Sequence, residues 1–134
     1  PDVSKNAYAS FDYFMTINTP NNKAFLERFQ AKFGKDALVN TVGVGMYNAA
    51  HMAALAIAKA GEVSTDAIRE NLKGISFDKA PQGKVTMREN DNQAIVPSYL
   101  MKVRDNWTSV NDMFEEVQSI EQAIPLDARC DLPL

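Results

Sequence analysis

The sequence predicts an α/β fold, a sandwich of helices on a sheet whose first half is parallel. Three observations lead there. Apolar residues recur at helical spacing in three segments between Pro20 and Leu72. Strand-type runs at 7–17 and 37–42 alternate with the first two of those segments. Beyond Gly74 the pattern changes to short alternating runs split by polar turns, which read as antiparallel additions.

Residues 7–17 carry Tyr8, Phe11, Tyr13, Phe14, Thr16 and Ile17, aromatic and β-branched types that suit a strand. Thr19 then caps, and Pro20 opens, a helix to about residue 33. Its stripe is Phe25, Leu26, Phe29 and Phe33, and Gly34 ends it. Residues 37–42 are a strand candidate and Gly43-Val44-Gly45 a turn. A second helix follows over about 46–60, with Tyr47, Ala50, Ala54, Ile57 and Ala58 as its inward stripe and Gly61 as its end. Ser64 or Thr65 caps a third, short helix with Ala67, Ile68 and Leu72 inward, stopped by Gly74. Residues 77–83 form a loop, 84–87 a strand and 89–92 a polar turn. Residues 95–104 alternate, with Ile95, Pro97, Tyr99, Met101 and Val103 on one side; Pro97 places this strand at an edge or start. Residues 110–124 present Val110, Met113, Phe114, Val117 and Ile124 at helical spacing and by themselves read as helix. Residues 125–134 read as an irregular tail.

With 46% hydrophobic and 23% charged residues over 134 positions, the chain suits one modest domain or a piece of a larger one. A net charge of −3 with no basic run argues against nucleic acid or an anionic membrane surface as partner. The longest apolar-leaning stretch, 49–58, is too short to span a bilayer. No secretory leader is visible, and Pro1-Asp2 fits a processed, proteolysed or truncated start. Cys130 stands alone and reads as an inert thiol; a bridge to another chain is the sharper alternative.

Gly43-Val44-Gly45 invites a phosphate-loop reading. A dinucleotide fingerprint needs a third glycine where this chain has Asn48, so the turn is better read as a strand-to-helix connection at the ligand-bearing end of a sheet. Backbone amides at such a helix start can bind a carboxylate or carbonyl. His51 reads as a hydrogen-bonded structural residue. Asp78, Glu89 and Asp91 read as solvated turn residues, and Asn106-Trp107-Thr108 as an incidental glycosylation sequon. Tyr8, Tyr13 and Phe14 are core residues or walls of a pocket. No metal-type Cys/His cluster, cofactor motif or catalytic constellation is present in the sequence.

Three stretches carry a resemblance: Tyr13-Phe-Met-Thr-Ile-Asn-Thr-Pro-Asn-Asn-Lys-Ala-Phe25, Tyr47-Asn-Ala-Ala-His51, and Phe77-Asp-Lys-Ala-Pro-Gln-Gly-Lys-Val-Thr-Met87. In order and spacing they resemble the last third of type I periplasmic solute-binding proteins, in the branched-chain amino acid, urea and short-amide group of ABC importers. The resemblance implies a portion of a two-lobed fold, each lobe a three-layer α/β sandwich, with crossovers joining the lobes. Residues 1–17 would end one lobe, 18–95 belong to the other, and 96–134 return to the first as a strand hairpin and tail. It also implies that 114–120 is a strand paired with 99–104, against the helical reading.

The function so implied is capture of an amino acid, amide or urea-like solute by hinge closure, without catalysis or cofactor. Val42, Gly43, Val44, Gly45 and Tyr47 would face the solute, while Thr16, Asn18, Thr19, Ala94, Val96 and Pro97 would bend. Some relatives have an acidic residue where Val44 stands, and alanines where Gly45 and Met46 stand, so urea or amide recognition is not carried over. The implied partners are the solute, a membrane permease, and the rest of the binding protein as another chain or through self-association. The implied location is periplasmic or extracytoplasmic, lipid-anchored in the parent protein. Three rival readings are a ligand-sensing regulator of the amide-sensor type, a nucleotide-using enzyme domain at Gly43–Gly45, and a purely structural module with no ligand.

Overall fold

Side-chain caps set where the three helices begin. In the computed structural model, which describes residues 4–125, α1 spans Pro20–Phe33, α2 Thr41–Ala60 and α3 Thr65–Leu72. The Thr19 hydroxyl accepts the Asn22 amide at 3.0 Å, Asn40 Oδ1 the Gly43 amide at 3.0 Å, and the Ser64 hydroxyl the Ala67 amide at 3.2 Å. Each satisfies an amide that the first helical turn leaves without a partner. Gly61 closes α2 in the left-handed region, at φ 74°. The expected Thr19 cap, Pro20 start and Gly34 stop of α1 are all present. The readings of Pro1-Asp2, of Cys130 and of the tail beyond residue 125 fall outside the described residues.

The strands form two sheets. β1 (Tyr8–Phe11), β5 (Ser98–Val103) and β6 (Phe114–Ile120) make one, in the order β1-β5-β6; β2 (Ser76–Phe77), β3 (Val85–Met87) and β4 (Ala94–Ile95) make the other, in the order β2-β3-β4. The first sheet thus draws on both ends of the described chain and the second on its middle. Within β5, Tyr99, Met101 and Val103 are buried while Leu100 is exposed, as the alternation requires. Pro97 lies in the short link between β4 and β5, where its missing amide costs no ladder hydrogen bond. The β5–β6 register slips where Leu100 pairs Gln118 and Met101 pairs Glu116, which leaves Val117 as the extra residue of a bulge.

Several expectations are corrected. Every strand pairing among the described residues is antiparallel, so the predicted parallel half is not found there. Residues 37–40 form no strand; Asn40 caps α2, and burial of Val44 favours helix over the β propensity of the valines. β1 stops at Phe11, and Tyr13, Phe14 and Ile17 are buried in the non-strand segment that follows. The buried row of α2 is Val44, Asn48, Met52 and Ala56, not the predicted alanine stripe; Ala50, Ala54 and Ala58 are exposed. The whole of α2 has 20 residues and holds an 18-residue stretch with mean hydropathy 1.2, so it does reach span length, although one of its faces packs into the protein. The helical reading of 110–124 gives way to a short 3-10 turn at Val110–Asp112 and to β6, the strand that the resemblance implied.

Two core clusters result. Tyr13, Phe14, Ile17, Phe25, Val44, Tyr99 and Met101 form one; Met52, Phe77, Ala80 and Val85 form the other; and Tyr47 packs against both. Asp91 is not a solvated turn residue. It forms a forked pair with Arg88, Nε to Oδ1 at 2.8 Å and Nη2 to Oδ2 at 2.6 Å, and Arg88 Nη1 also donates to the Pro125 carbonyl at 3.0 Å.

Candidate functional site

The amino end of α2 is where the sequence places solute contacts. Asn40 occupies one of its free amides with its side chain and accepts the Val44 amide with its carbonyl, at 3.1 Å. The Thr41 hydroxyl donates to Asp12 Oδ1, tying the helix start to the segment after β1. The remaining amides of the first turn are hydrogen-bond donors at the positive end of the helix dipole.

The helical geometry scatters the five predicted contact residues. Val42 is 68% exposed and Val44 fully buried in the core. Gly43 and Gly45 border different cavities on the two flanks of α2. Tyr47 sits in a row of rings: its hydroxyl accepts from Arg28 Nη2 at 3.3 Å, and its ring lies 4.9 Å from Phe25 and 4.4 Å from His51. His51, expected to be hydrogen-bonded, is an exposed ring stacked on Phe77 at 4.8 Å and 11°. A Cβ on Gly43 would stand 3.0 Å from Val39 Cγ2, so the chain before the helix packs closely on its first turn.

Gly43 and Thr16 share one cavity of about 640 Å³. Its walls are largely aromatic and apolar, with Phe11, Phe14, Phe29, Leu38 and Phe114 prominent; the rings of Phe14 and Phe114 stand 4.9 Å apart. Its polar side chains are Asn40 and Thr41 at the helix start, Tyr13, whose hydroxyl donates to Asn22, and Thr16, whose buried Oγ1 has no hydrogen-bond partner among the described residues. Such a cavity suits an apolar body with an anionic or carbonyl head directed at the helix amides. Among the described residues no group of His, Cys, Asp and Glu is arranged to hold a metal ion.

The two predicted bending segments are tied together by the buried loop Ala80-Pro81-Gln82-Gly83. Thr19 Oγ1 donates to the Pro81 carbonyl at 2.8 Å, and Asn21 Nδ2 to the Asp78 carbonyl at 2.8 Å. Tyr99 Oη donates to the Gln82 carbonyl at 2.6 Å. Gly83 has φ 113°, and a Cβ there would stand 3.1 Å from Pro97 Cγ. Of the predicted bending residues, Asn18 is exposed, Thr16, Thr19, Ala94 and Val96 are half-buried, and Pro97 is buried.

Sequence reasoning missed three buried amides. Asn22 Nδ2 donates to the carbonyls of Met15 at 3.0 Å and Ile17 at 2.8 Å, while its Oδ1 accepts from Tyr13 Oη at 3.0 Å. Asn48 and Gln82 are 5% and 0% exposed. The placement of Asn22 and Asn48 on the core rows of their helices is the one sequence signal that could have found them.

A family profile described as periplasmic binding protein matches residues 1–108. A solute-binding protein of an ABC transporter from Rhodopseudomonas palustris, solved with 3,4-dihydroxybenzoic acid, superposes with a TM-score of 0.79 at 18% identity, over 91% of this chain and 32% of that one. An ABC-type branched-chain amino acid transporter protein from the same species gives a TM-score of 0.76 at 24% identity, over 94% of this chain and 34% of that one. A curated relative, limonene hydroxylase of Geobacillus stearothermophilus, is 25% identical over 118 residues, 88% of this chain and 20% of that protein. The chain therefore spans about a third of the length of these solved structures, 32% and 34%.

Proposed function

This chain belongs to the periplasmic binding protein family, and on that premise we propose that it forms part of the extracytoplasmic solute-capturing component of an ABC importer. Its solute has an aliphatic or aromatic body and a carboxylate, as amino acids and aromatic acids do. The observation that carries this reading is the Phe-walled cavity that opens at the amino end of α2 beside Thr16. The apolar body fills the aromatic walls, and the carboxylate takes the free amides at Thr41 and Val42. A structurally similar protein solved with 3,4-dihydroxybenzoic acid supports that class of solute. Of the predicted contacts, Gly43 lines this cavity.

In this reading residues 4–17 and 96–125 move as one body and 18–95 as the other, with the give at Asn18 and at the Val96-Pro97 link. Solute contacts made only in the closed arrangement shift the population toward it, and the closed form is what a permease recognises. The remaining polypeptide of the binding protein completes the site, as another chain or through self-association.

Amide NMR of the purified chain tests both parts. Titration with 3,4-dihydroxybenzoate or leucine is expected to shift Thr41, Val42 and Gly43 saturably, whereas 3,4-dihydroxybenzamide leaves them in place. Equal shifts with the uncharged amide, or none with either acid, would refute the carboxylate reading. Asn18→Pro, which fixes one φ and restricts Ile17, is expected to change the affinity for the same acid. An unchanged affinity would remove Asn18 as a bending point.

A further inference from the structure

A cavity of about 350 Å³ is lined by residues of β6, of the buried loop Ala80-Pro81-Gln82-Gly83 and of both proposed bending segments. It shares no lining residue with the Phe-walled cavity. Its β6 wall follows from the bulge at Val117. Residues directly opposite one another on paired strands put their side chains on the same face. Ser119 stands opposite Tyr99 and Glu116 opposite Met101, and both partners belong to the buried row of β5. Without the extra residue, Val117 and not Glu116 would share the face of Ser119. The bulge thus turns Glu116 to the Tyr99 side, where Ser119 and Glu121 also line the cavity.

The charges in this cavity do not balance. Glu116 and Glu121 form no ion pair among the described residues. Both act on the Tyr99 hydroxyl, whose pKa is raised by burial and then by these two carboxylates. Lys84 is the one cation of the lining, and its Nζ is directed to Asp78 Oδ1, at 3.9 Å and outside the lining. Gln82 supplies an independent observation. It lines the cavity, is 0% exposed, and neither Oε1 nor Nε2 has a hydrogen-bond partner among the described residues. A buried primary amide without partners is costly, so a donor and an acceptor are expected here from elsewhere.

We propose that this cavity binds a small primary ammonium compound that carries a hydroxyl or carbonyl oxygen near the nitrogen. An ammonium group has three N–H donors and no acceptor, which suits Glu116, Glu121 and Gln82 Oε1. The oxygen of the ligand accepts from Gln82 Nε2. An anionic ligand would be repelled by the two glutamates, a neutral one would leave their charge unanswered, and a bare metal ion offers Gln82 Nε2 no acceptor. This inference does not use the Phe-walled cavity or its solute.

The test is NMR of the ¹⁵N-labelled chain at neutral pH and constant ionic strength, titrated with ethanolamine. The signals read are the Gln82 side-chain amide and the Ser119 backbone amide. Saturable shifts of both are expected. None are expected from tetramethylammonium, which has the charge without donors, or from ethylene glycol, which has the oxygen without the charge. Glu116→Gln and Glu121→Gln, at exposed positions, are each expected to weaken binding about threefold, the size of an exposed ion pair, and together about tenfold. Gln82 also borders the cavity on the far flank of α2, so Gln82→Met shows which one its amide serves. That change, read at Ser119, is expected to weaken ethanolamine binding about tenfold. No saturation, equal shifts from tetramethylammonium, or an affinity unmoved by the double glutamate change or by Gln82→Met would overturn the proposal. So would shifts with calcium chloride and none with ethanolamine, which would mark a metal site instead.

Discussion

Replacing Asn22 with alanine is expected to lower the unfolding free energy by about 3 kcal/mol, measured by urea denaturation. Three side-chain hydrogen bonds end on this residue, and it is only 1% exposed. Its amide nitrogen holds the Met15 and Ile17 carbonyls, so alanine leaves those groups and the Tyr13 hydroxyl short of partners in a region with little room for water. Tyr13→Phe removes one of the three bonds and should cost about 1 kcal/mol. Equal costs for the two variants would show that the carbonyl contacts add nothing. The same locus should also respond to alkali. Burial raises the Tyr13 pKa well above its ordinary value of 10.0; burial, then Glu116 and Glu121, raise that of Tyr99. Raised folded values favour the neutral phenols. This contribution is complete below about pH 10 and is lost as pH climbs from there toward the folded values, because the unfolded chain ionises first. A stability plateau that persists beyond pH 11 would contradict this.

Arg88→Met should destabilise the protein by about 3 kcal/mol, since it takes the cation away from a buried carboxylate that keeps the Gln93 amide. The side chains of Arg88 and Asp91 are 7% and 9% exposed, and their forked contact joins the end of β3 to the turn before β4. Arg88 also holds the Pro125 carbonyl, so its loss releases the segment that follows β6. The double change Arg88→Met with Asp91→Leu removes both charges and should recover most of the loss, because desolvating an ion pair offsets much of its attraction. Urea midpoints for the two singles and the double close the thermodynamic cycle. A single variant costing under about 1 kcal/mol would place the pair, energetically, with exposed ion pairs.

The helices that the sequence described best are those whose ends are written in local chemistry. Thr19, Pro20 and Gly34 bound α1, and Ser64 caps α3, through contacts reaching no further than four residues. The start of α2 is hidden in the sequence because Leu38, Val39 and Val42 look like a strand, which masks Asn40 as its cap. Burial of Val44 against Tyr13 and Phe25 is a long-range effect that no window of sequence contains. β6 shows the same limit from the other side. Its apolar residues fit a helix, and its pairing with β5 joins partners up to 22 residues apart, from Ser98 to Ile120. Resemblance, not periodicity, supplied that strand. For the candidate site, the sequence points to a segment, the start of α2, and not to how its side chains are disposed. The amino end of α2 does border a cavity, yet a helix in place of a turn sent Val44 to the core and Gly45 to the far flank. Asp91 and Gln82 look like loop residues in the sequence, because burial in a loop is decided by what folds over it.

The bulge at Val117 bears on how copies of this chain meet in concentrated solution. Among the described residues β6 is an outer strand, and its far side offers amides and carbonyls to a passing β segment. The extra residue divides that side into two runs of three, Phe114–Glu116 and Gln118–Ile120, and twists one against the other. A strand from a second molecule can follow one run but falls out of step at the next. Glu115 and Glu116 would also face the same charges on an identical partner. Geometry and charge repulsion therefore both oppose fibril growth along this edge, even though Val117 and Ile120 are more than half exposed.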